Sequence, residues 1–263
     1  NAYALLIGDG ILIKSIDGTI PEGTKAIASY TFGSDKTEIA DNEFYDNKLP
    51  VSISIPSSVK SIGDYAFYYA TNLKVIEIND SVKDIGEKAF YGCSSLTYIK
   101  LPSDLKEISD YMFYECSSLT EIELPKSVKK IGDYAFYNCI NLASINIADN
   151  IASIGEFALQ GTKVMNNFND YDEYTKDGYT VIGDGILVKA NVKYAKTTVP
   201  SNVKVIASGA FNENDFIETV TIPSTVKTVE AYAFNGCDNL TKVTTSGSTK
   251  VDADAYHLCE KLK

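Results

Sequence analysis

Tryptophan and arginine are absent from this chain, histidine occurs once and methionine twice. Each scarcity removes a class of function. A Ser-His-Asp triad would have to use His257, which stands at the ragged end of the sequence. Neither Gly-x-Ser-x-Gly, nor a phosphate loop, nor a dinucleotide fingerprint occurs. No run of about 18 apolar residues exists, so no membrane-spanning helix is expected. The charge is one-sided: 35 acidic residues against 24 lysines, a net −11. No cluster of Lys forms a stripe along the sequence, so nucleic acid and anionic membrane surfaces are not expected partners. The chain opens Asn1-Ala2-Tyr3 with neither an initiator Met nor a signal peptide. That is the expectation for a chain whose secretion signal has been removed, or for one cut from a longer protein.

Apolar material is plentiful: 44% of residues are hydrophobic and 11% aromatic, enough for a packed core. It is also periodic. Phe67, Phe90, Phe113 and Phe136 lie 23 residues apart, and Phe211 and Phe234 repeat the interval. Six residues after the Phe come Leu73, Leu96, Leu119, Leu142, Ile217 and Leu240. Nine after it come Ile76, Ile99, Ile122, Ile145, Val220 and Val243, and the alternation that follows is that of a half-buried strand. Pro56, Pro102, Pro125 and Pro223 end these strands. A second apolar pair precedes each Phe, as in Val59/Ile62 and Val128/Ile131. Gly63, Gly86, Gly132 and Gly155 then turn the chain, and Asp-Tyr-Ala-Phe reads as one helical or 3-10 turn.

A fixed short period predicts a solenoid whose units bury apolar residues only against their neighbours. We expect an α/β leucine-rich-repeat architecture: about eight right-handed coils, parallel strands on one face and short helical turns opposite. Ile7-Gly-Asp-Gly-Ile-Leu12 recurs as Ile182-Gly-Asp-Gly-Ile-Leu187, and Asp-Gly between apolar runs signals two hairpin units. The expected organisation is one continuous solenoid over 1–263. It comprises a first array (1–164), a loop or hinge (165–178), and a second hairpin unit with the C-terminal coils (179–263). Gly33 to Asn47 reads as an insertion.

The segment Ile131-Gly-Asp-Tyr-Ala-Phe-Tyr-Asn-Cys-Ile-Asn-Leu142-x-x-Ile145-x-Ile147 resembles the BspA-like, or Treponema pallidum, type of leucine-rich repeat. That resemblance implies a bacterial surface or secreted protein, adhesin-like in some members, binding host or bacterial surface proteins or glycans. It implies no enzyme and no cofactor. The alternative is a spacer that displays another domain without binding anything. Catalytic and metal-binding residues are expected to be absent.

Several residues compete for a role. Cys93, Cys116, Cys139, Cys237 and Cys259 each stand three after the repeat aromatic. They could be metal ligands, a disulfide framework or a ladder of small buried hydrophobes. The ladder fits best, because the count is odd and no Cys-x-x-Cys pair exists. Glu121 and Glu123 share an outward strand face, where a catalytic pair would lack the contrast of environments that glycosidases need. Asn166, Asn167, Asp170, Asp172 and Glu173 offer oxygen ligands, without the spacing of a calcium-binding helix-loop-helix. Two surfaces are left as partner-binding candidates. One is the outer strand face, with Tyr98, Lys100, Glu121 and Glu123. The other is a tyrosine stripe bracketing the Phe, with Tyr91, Tyr114 and Tyr137, which could equally be an intercoil packing ladder.

Overall fold

A computed structural model describes residues 4–15, 18–32, 49–147, 151–167 and 178–263. The chain forms two compact units, Asn1–Asn146 with Ala158–Val164, and Ile147–Phe157 with Met165–Lys263. Each is a strand-rich repeat solenoid built on parallel ladders.

In the first unit, strands Ser52–Ile55, Val75–Ile78 and Tyr98–Lys100 pair in parallel, with Ile53 opposite Ile76 and Ile76 opposite Ile99. Their alternating burial follows from the Ile-x-Ile spacing, since successive side chains of a strand face opposite ways. Glu121–Ile122 and Ser144–Ile145 repeat the pairing. A second parallel ladder, which sequence reading left as an apolar pair, runs through Ala26–Ile27, Ser61–Ile62 and Asp84–Ile85, and again through Glu107–Ile108 and Lys130–Ile131. Two-residue strands carry too little pattern to be recognised, but stacking supplies their partners. Strands Ala4–Ile7 and Ile11–Ser15 pair antiparallel, Ile7 opposite Ile11.

The second unit follows the same plan. Tyr179–Ile182 pairs antiparallel with Ile186–Ala190, which pairs in parallel with Val205–Ile206. Lys196–Thr198, Thr219–Ile222 and Lys242–Thr245 form its other ladder. Its core gathers Leu187, Val203, Ile206, Phe211, Ile217, Val220, Phe234 and Leu240, none more than 1% exposed. Full burial of such a side chain is worth about 1.5–3 kcal/mol.

The expected helical turns are corrected. Among the described residues the one α-helix is Lys163–Asn167, which begins within the array expected to end at residue 164 and runs on into the expected loop. The Asp-Tyr-Ala-Phe segments are turns in which the residue two before the Phe is left-handed: Tyr65 (φ 57°), Lys88 (55°), Tyr111 (56°), Tyr134 (53°) and Tyr232 (59°). The residue two after it is left-handed too, as at Tyr69 (53°), Glu115 (58°) and Asn138 (56°). This alternation turns every second N–H toward the following coil. Tyr65, Phe67 and Tyr69 donate to the carbonyls of Glu87, Ala89 and Tyr91 at 2.9, 2.8 and 2.7 Å. A helix would spend those donors within the turn. Each left-handed non-glycine residue costs about 1–2 kcal/mol, and the ladder of bonds offsets it.

The repeat glycines are not there for unusual φ values either. Gly63, Gly86 and Gly132 lie outside the left-handed region, but an added Cβ would strike the preceding coil. At Gly86 it would collide with the Asp64 carboxylate and backbone, and at Gly132 with those of Asp110. The Gly33–Asn47 insertion and the would-be calcium ligands Asp170, Asp172 and Glu173 lie outside the described residues.

Candidate functional site

Three aromatic columns rise through the first unit. Innermost is the repeat Phe: ring centroids are 4.7 Å apart for Phe32–Phe67, 5.1 Å for Phe67–Phe90, 5.6 Å for Phe90–Phe113 and 5.3 Å for Phe113–Phe136. Phe67, Phe90, Phe113 and Phe136 are wholly buried. One residue on, Tyr68–Tyr91, Tyr91–Tyr114 and Tyr114–Tyr137 repeat the spacing at 5.0, 4.5 and 5.1 Å. These tyrosines are half-buried. Phe thus sits where water is excluded, and Tyr where its hydroxyl can stay wet. The last two pairs lie within 7° and 11° of parallel, so the ring faces cover one another and the wall presents edges and hydroxyls.

The third column, two before the Phe, contains Tyr30, Tyr65, Lys88, Tyr111 and Tyr134. Tyr30–Tyr65 and Tyr111–Tyr134 stack at 4.8 and 4.9 Å. Lys88 takes the middle place. Its Nζ stands 5.2 Å from the Tyr65 ring centroid and 5.0 Å from that of Tyr111, and it donates to Tyr65 Oη at 3.1 Å. That hydrogen bond raises its pKa above the usual lysine value, against the opposing effect of burial. The wall therefore holds an ammonium group of its own.

Around Tyr91 the phenols gather. Burial, then Tyr69 and Tyr114, then Glu115 push the Tyr91 hydroxyl well above its ordinary pKa. Burial and Glu115 also raise Tyr69 and Tyr114. Tyr69, Lys88 and Glu115 were not singled out from sequence. The signal was available in the period, because Lys88 stands where Tyr65 and Tyr111 do.

The strand-face candidates lie on a different wall. Tyr98 is 49% exposed, and Lys100, Glu121 and Glu123 are exposed beside it. Lys100 is in register with Glu77. The fold does not join them to Tyr91, Tyr114 and Tyr137. Between the second ladder and the tyrosine wall runs a groove of about 460 Å³ whose lining includes Asp64, Asp84, Glu87, Glu107 and Asp110, with Lys130 for contrast.

The reading of the lysines needs correction, for a stripe exists. Lys25, Lys60, Lys83, Lys106 and Lys129 occupy one position in successive coils, and all are exposed. The Lys60 N–H donates to Lys25 O, Lys83 to Lys60 O, and Lys129 to Lys106 O. Residues 23 to 35 apart in sequence do not look clustered, but coiling aligns them. Acids interrupt the stripe: Lys83 pairs with Asp104 at 2.9 Å, and Asp84 and Glu107 follow Lys83 and Lys106 directly.

The sequence matches the BspA type leucine rich repeat region in six copies, over residues 37–169 and 172–263. The chain belongs to that family. A leucine-rich repeat protein from Eubacterium ventriosum shares its fold, at 20% identity and TM-score 0.52, over 99% of this chain and 74% of that one. A leucine rich cell surface protein from Faecalibacterium prausnitzii is 22% identical, with TM-score 0.49 over 100% of this chain and 86% of that one. The leucine-rich repeat protein of T. pallidum is 24% identical, with TM-score 0.39 over 81% and 78%. Among curated proteins none matches.

The cysteines find their place within the BspA-type coil. Cys93, Cys116, Cys139 and Cys237 are free and buried, while Cys259 is partly exposed. Each Sγ donates to the carbonyl of the preceding coil's aromatic: Cys93 to Phe67 O at 3.1 Å, Cys116 to Phe90 O at 3.2 Å, Cys139 to Phe113 O at 3.0 Å. Cys237 and Cys259 treat Phe211 O and Phe234 O the same way, at 3.0 and 2.9 Å. Burial pushes the thiols of Cys93, Cys139 and Cys237 up to about 12. In one coil Asn214 takes the position and bonds Ala190 O and Val192 O, both at 3.1 Å. The thiol is therefore a small apolar filler with one weak donor, suited to the coil interior and unsuited to nucleophilic chemistry.

Proposed function

We propose that this BspA-type protein is a non-catalytic binding module of a bacterial surface or secreted protein, adhesin-like, whose tyrosine wall meets a macromolecular partner. The observation that carries the reading is the half-buried Tyr68–Tyr91–Tyr114–Tyr137 column, whose edges and hydroxyls face outward along four successive coils. Tyrosine gives a large, stiff contact area at low entropic cost, and such residues concentrate at recognition surfaces. Protein partners fit better than glycans, because rings stacked on one another offer no free face to a sugar. The outer strand face with Tyr98, Lys100, Glu121 and Glu123 would act as a second contact. In the same reading the coils wind right-handed and form one continuous array.

One observation favours the spacer instead: the same stacking stiffens the unit whether or not anything binds. Replacing Tyr91, Tyr114 and Tyr137 together by Ser separates the two. Binding to extracellular-matrix proteins and to arrayed glycans should be lost with the fold retained. Lost stability with intact binding would sink the tyrosine wall, and silence of the unaltered protein on every matrix protein and glycan would favour the spacer.

A further inference from the structure

We infer that the tyrosine wall of the first unit is a receptor for lysine-bearing segments of a protein partner, with Glu115 and the hydroxyls of Tyr69, Tyr91 and Tyr114 as the seat of the incoming ammonium group. The inference rests on the binding-module reading and names the partner's chemistry.

Three observations carry it. The first is that the wall already holds an ammonium. Lys88 lies between the rings of Tyr65 and Tyr111 and donates to a phenol oxygen, so this scaffold's rings and hydroxyls suit that group in geometry and electrostatics. The second is charge. On the turns around Phe67, Phe90, Phe113 and Phe136, the side chains of Asp64, Glu87, Asp110, Asp133 and Glu115 oppose Lys88 alone. An acidic wall on a chain of net charge −11 draws a cationic segment and repels an anionic one.

The third is Glu115 itself. It occupies a left-handed position at φ 58°, beside Tyr69, Tyr91 and Tyr114, and it forms no ion pair among the described residues. The coils of Phe67, Phe90 and Phe136 carry Tyr69, Gly92 and Asn138 at this position, and Glu213 is its acidic counterpart in the second unit, so the fold does not require a carboxylate there. Phenol hydroxyls and a carboxylate together present acceptors to a donor that has three N–H groups and accepts nothing. A lysine can donate to Glu115 and to neighbouring hydroxyls at once. Stacked ring faces do not hinder this, because the contact is with hydroxyls and edges.

The probe is hexalysine, followed by tyrosine fluorescence, the chain's own emission in the absence of tryptophan. The full chain should bind it at low ionic strength, with affinity falling as salt rises. Glu115→Gln should weaken binding about fivefold, the scale of one exposed ion pair. Tyr91→Phe, which keeps the stacked ring and removes the hydroxyl, should weaken it as well, and thermal unfolding should show both variants folded. Glu218→Gln, an equal charge change in the second unit, should leave binding unaltered. Equal weakening by Glu115→Gln and Glu218→Gln would reduce the effect to bulk charge and overturn the proposal. So would undiminished binding in Glu115→Gln. A neutral oligosaccharide or an acidic protein that binds through Tyr91 and Tyr114 and ignores Glu115→Gln would overturn the cation seat while leaving the tyrosine wall standing as a site.

Discussion

Gly132→Ala tests the reasoning about the coils most sharply. If this glycine only served a turn, alanine would be nearly free, since its φ lies outside the left-handed region. The structure gives it another task. A Cβ at Gly132 would meet the Asp110 carboxylate, and would stand 2.7 Å from Asp110 N and 2.8 Å from Ser109 C. Asp110 cannot withdraw without loss, because its Oδ1 accepts the Asp133 N–H at 2.9 Å. Overpacking of this kind costs about 1–3 kcal/mol, and two of the three contacts are backbone, so we expect the upper half of that range. For a unit of this size the melting point should drop by about 5–10 °C. Asp110→Ala alone should cost about 1 kcal/mol for the lost bond. The double variant should be less damaging than the sum, since alanine at 110 frees part of the space. An interaction of about 1 kcal/mol is expected from the cycle. The neighbouring coil has already run a version of this experiment. There Ser109 replaces the glycine, the preceding turn carries Glu87 in place of Asp, and Ser109 Oγ bonds Ile85 O at 2.6 Å. Urea unfolding of the four proteins measures the cycle. A Gly132→Ala cost below about 0.5 kcal/mol would refute the close-approach argument, and strict additivity would acquit Asp110.

Phe90→Ala removes the middle of a five-ring column and should cost about 3–5 kcal/mol, read by denaturant unfolding. Thiol titration of the native protein should label Cys259 first and leave Cys93, Cys116, Cys139 and Cys237 unreacted until unfolding, in keeping with their burial. The same thiols set an alkaline limit. Unfolded thiols titrate at about 8.5, whereas burial pushes Cys93, Cys139 and Cys237 up to about 12, so ionisation favours the unfolded chain. Their stabilising share is complete below about pH 8.5 and is lost as pH climbs toward the folded values. Circular dichroism should show unfolding in that interval, and Cys139→Ala should shift its onset upward.

What the period revealed and what it hid follow from one cause. Residues that point into the coil recur with little freedom, so Phe67, Leu73, Ile76 and Cys93 mark a stacked repeat in the sequence alone. Backbone conformation left no such mark. Tyrosine is a poor left-handed residue, and Tyr65 and Tyr134 in place of glycine gave no hint that the turn alternates hand. The demand comes from the neighbouring coil, whose carbonyls need the N–H groups of Tyr65, Phe67 and Tyr69. A local reading of Asp-Tyr-Ala-Phe therefore chose a helical turn. Gly132 was misread for the same reason, since the atom that forbids a Cβ belongs to a coil 23 residues away.

The surface was legible to the degree that its members repeat. Tyr91, Tyr114 and Tyr137 stood out because they recur, and they do stack. Recurrence, however, is also what packing produces, so it cannot tell a wall from a site. Discrimination comes from the positions that break the column. Lys88 interrupts one line of tyrosines, and Glu115 a position that the coils of Phe67, Phe90 and Phe136 fill with tyrosine, glycine and asparagine, with Glu213 its acidic counterpart in the second unit. Neither substitution helps the backbone, which stays left-handed at both. A cation held between rings and a carboxylate without an ion pair among the described residues are the two departures from the repeat on which the proposed recognition surface rests.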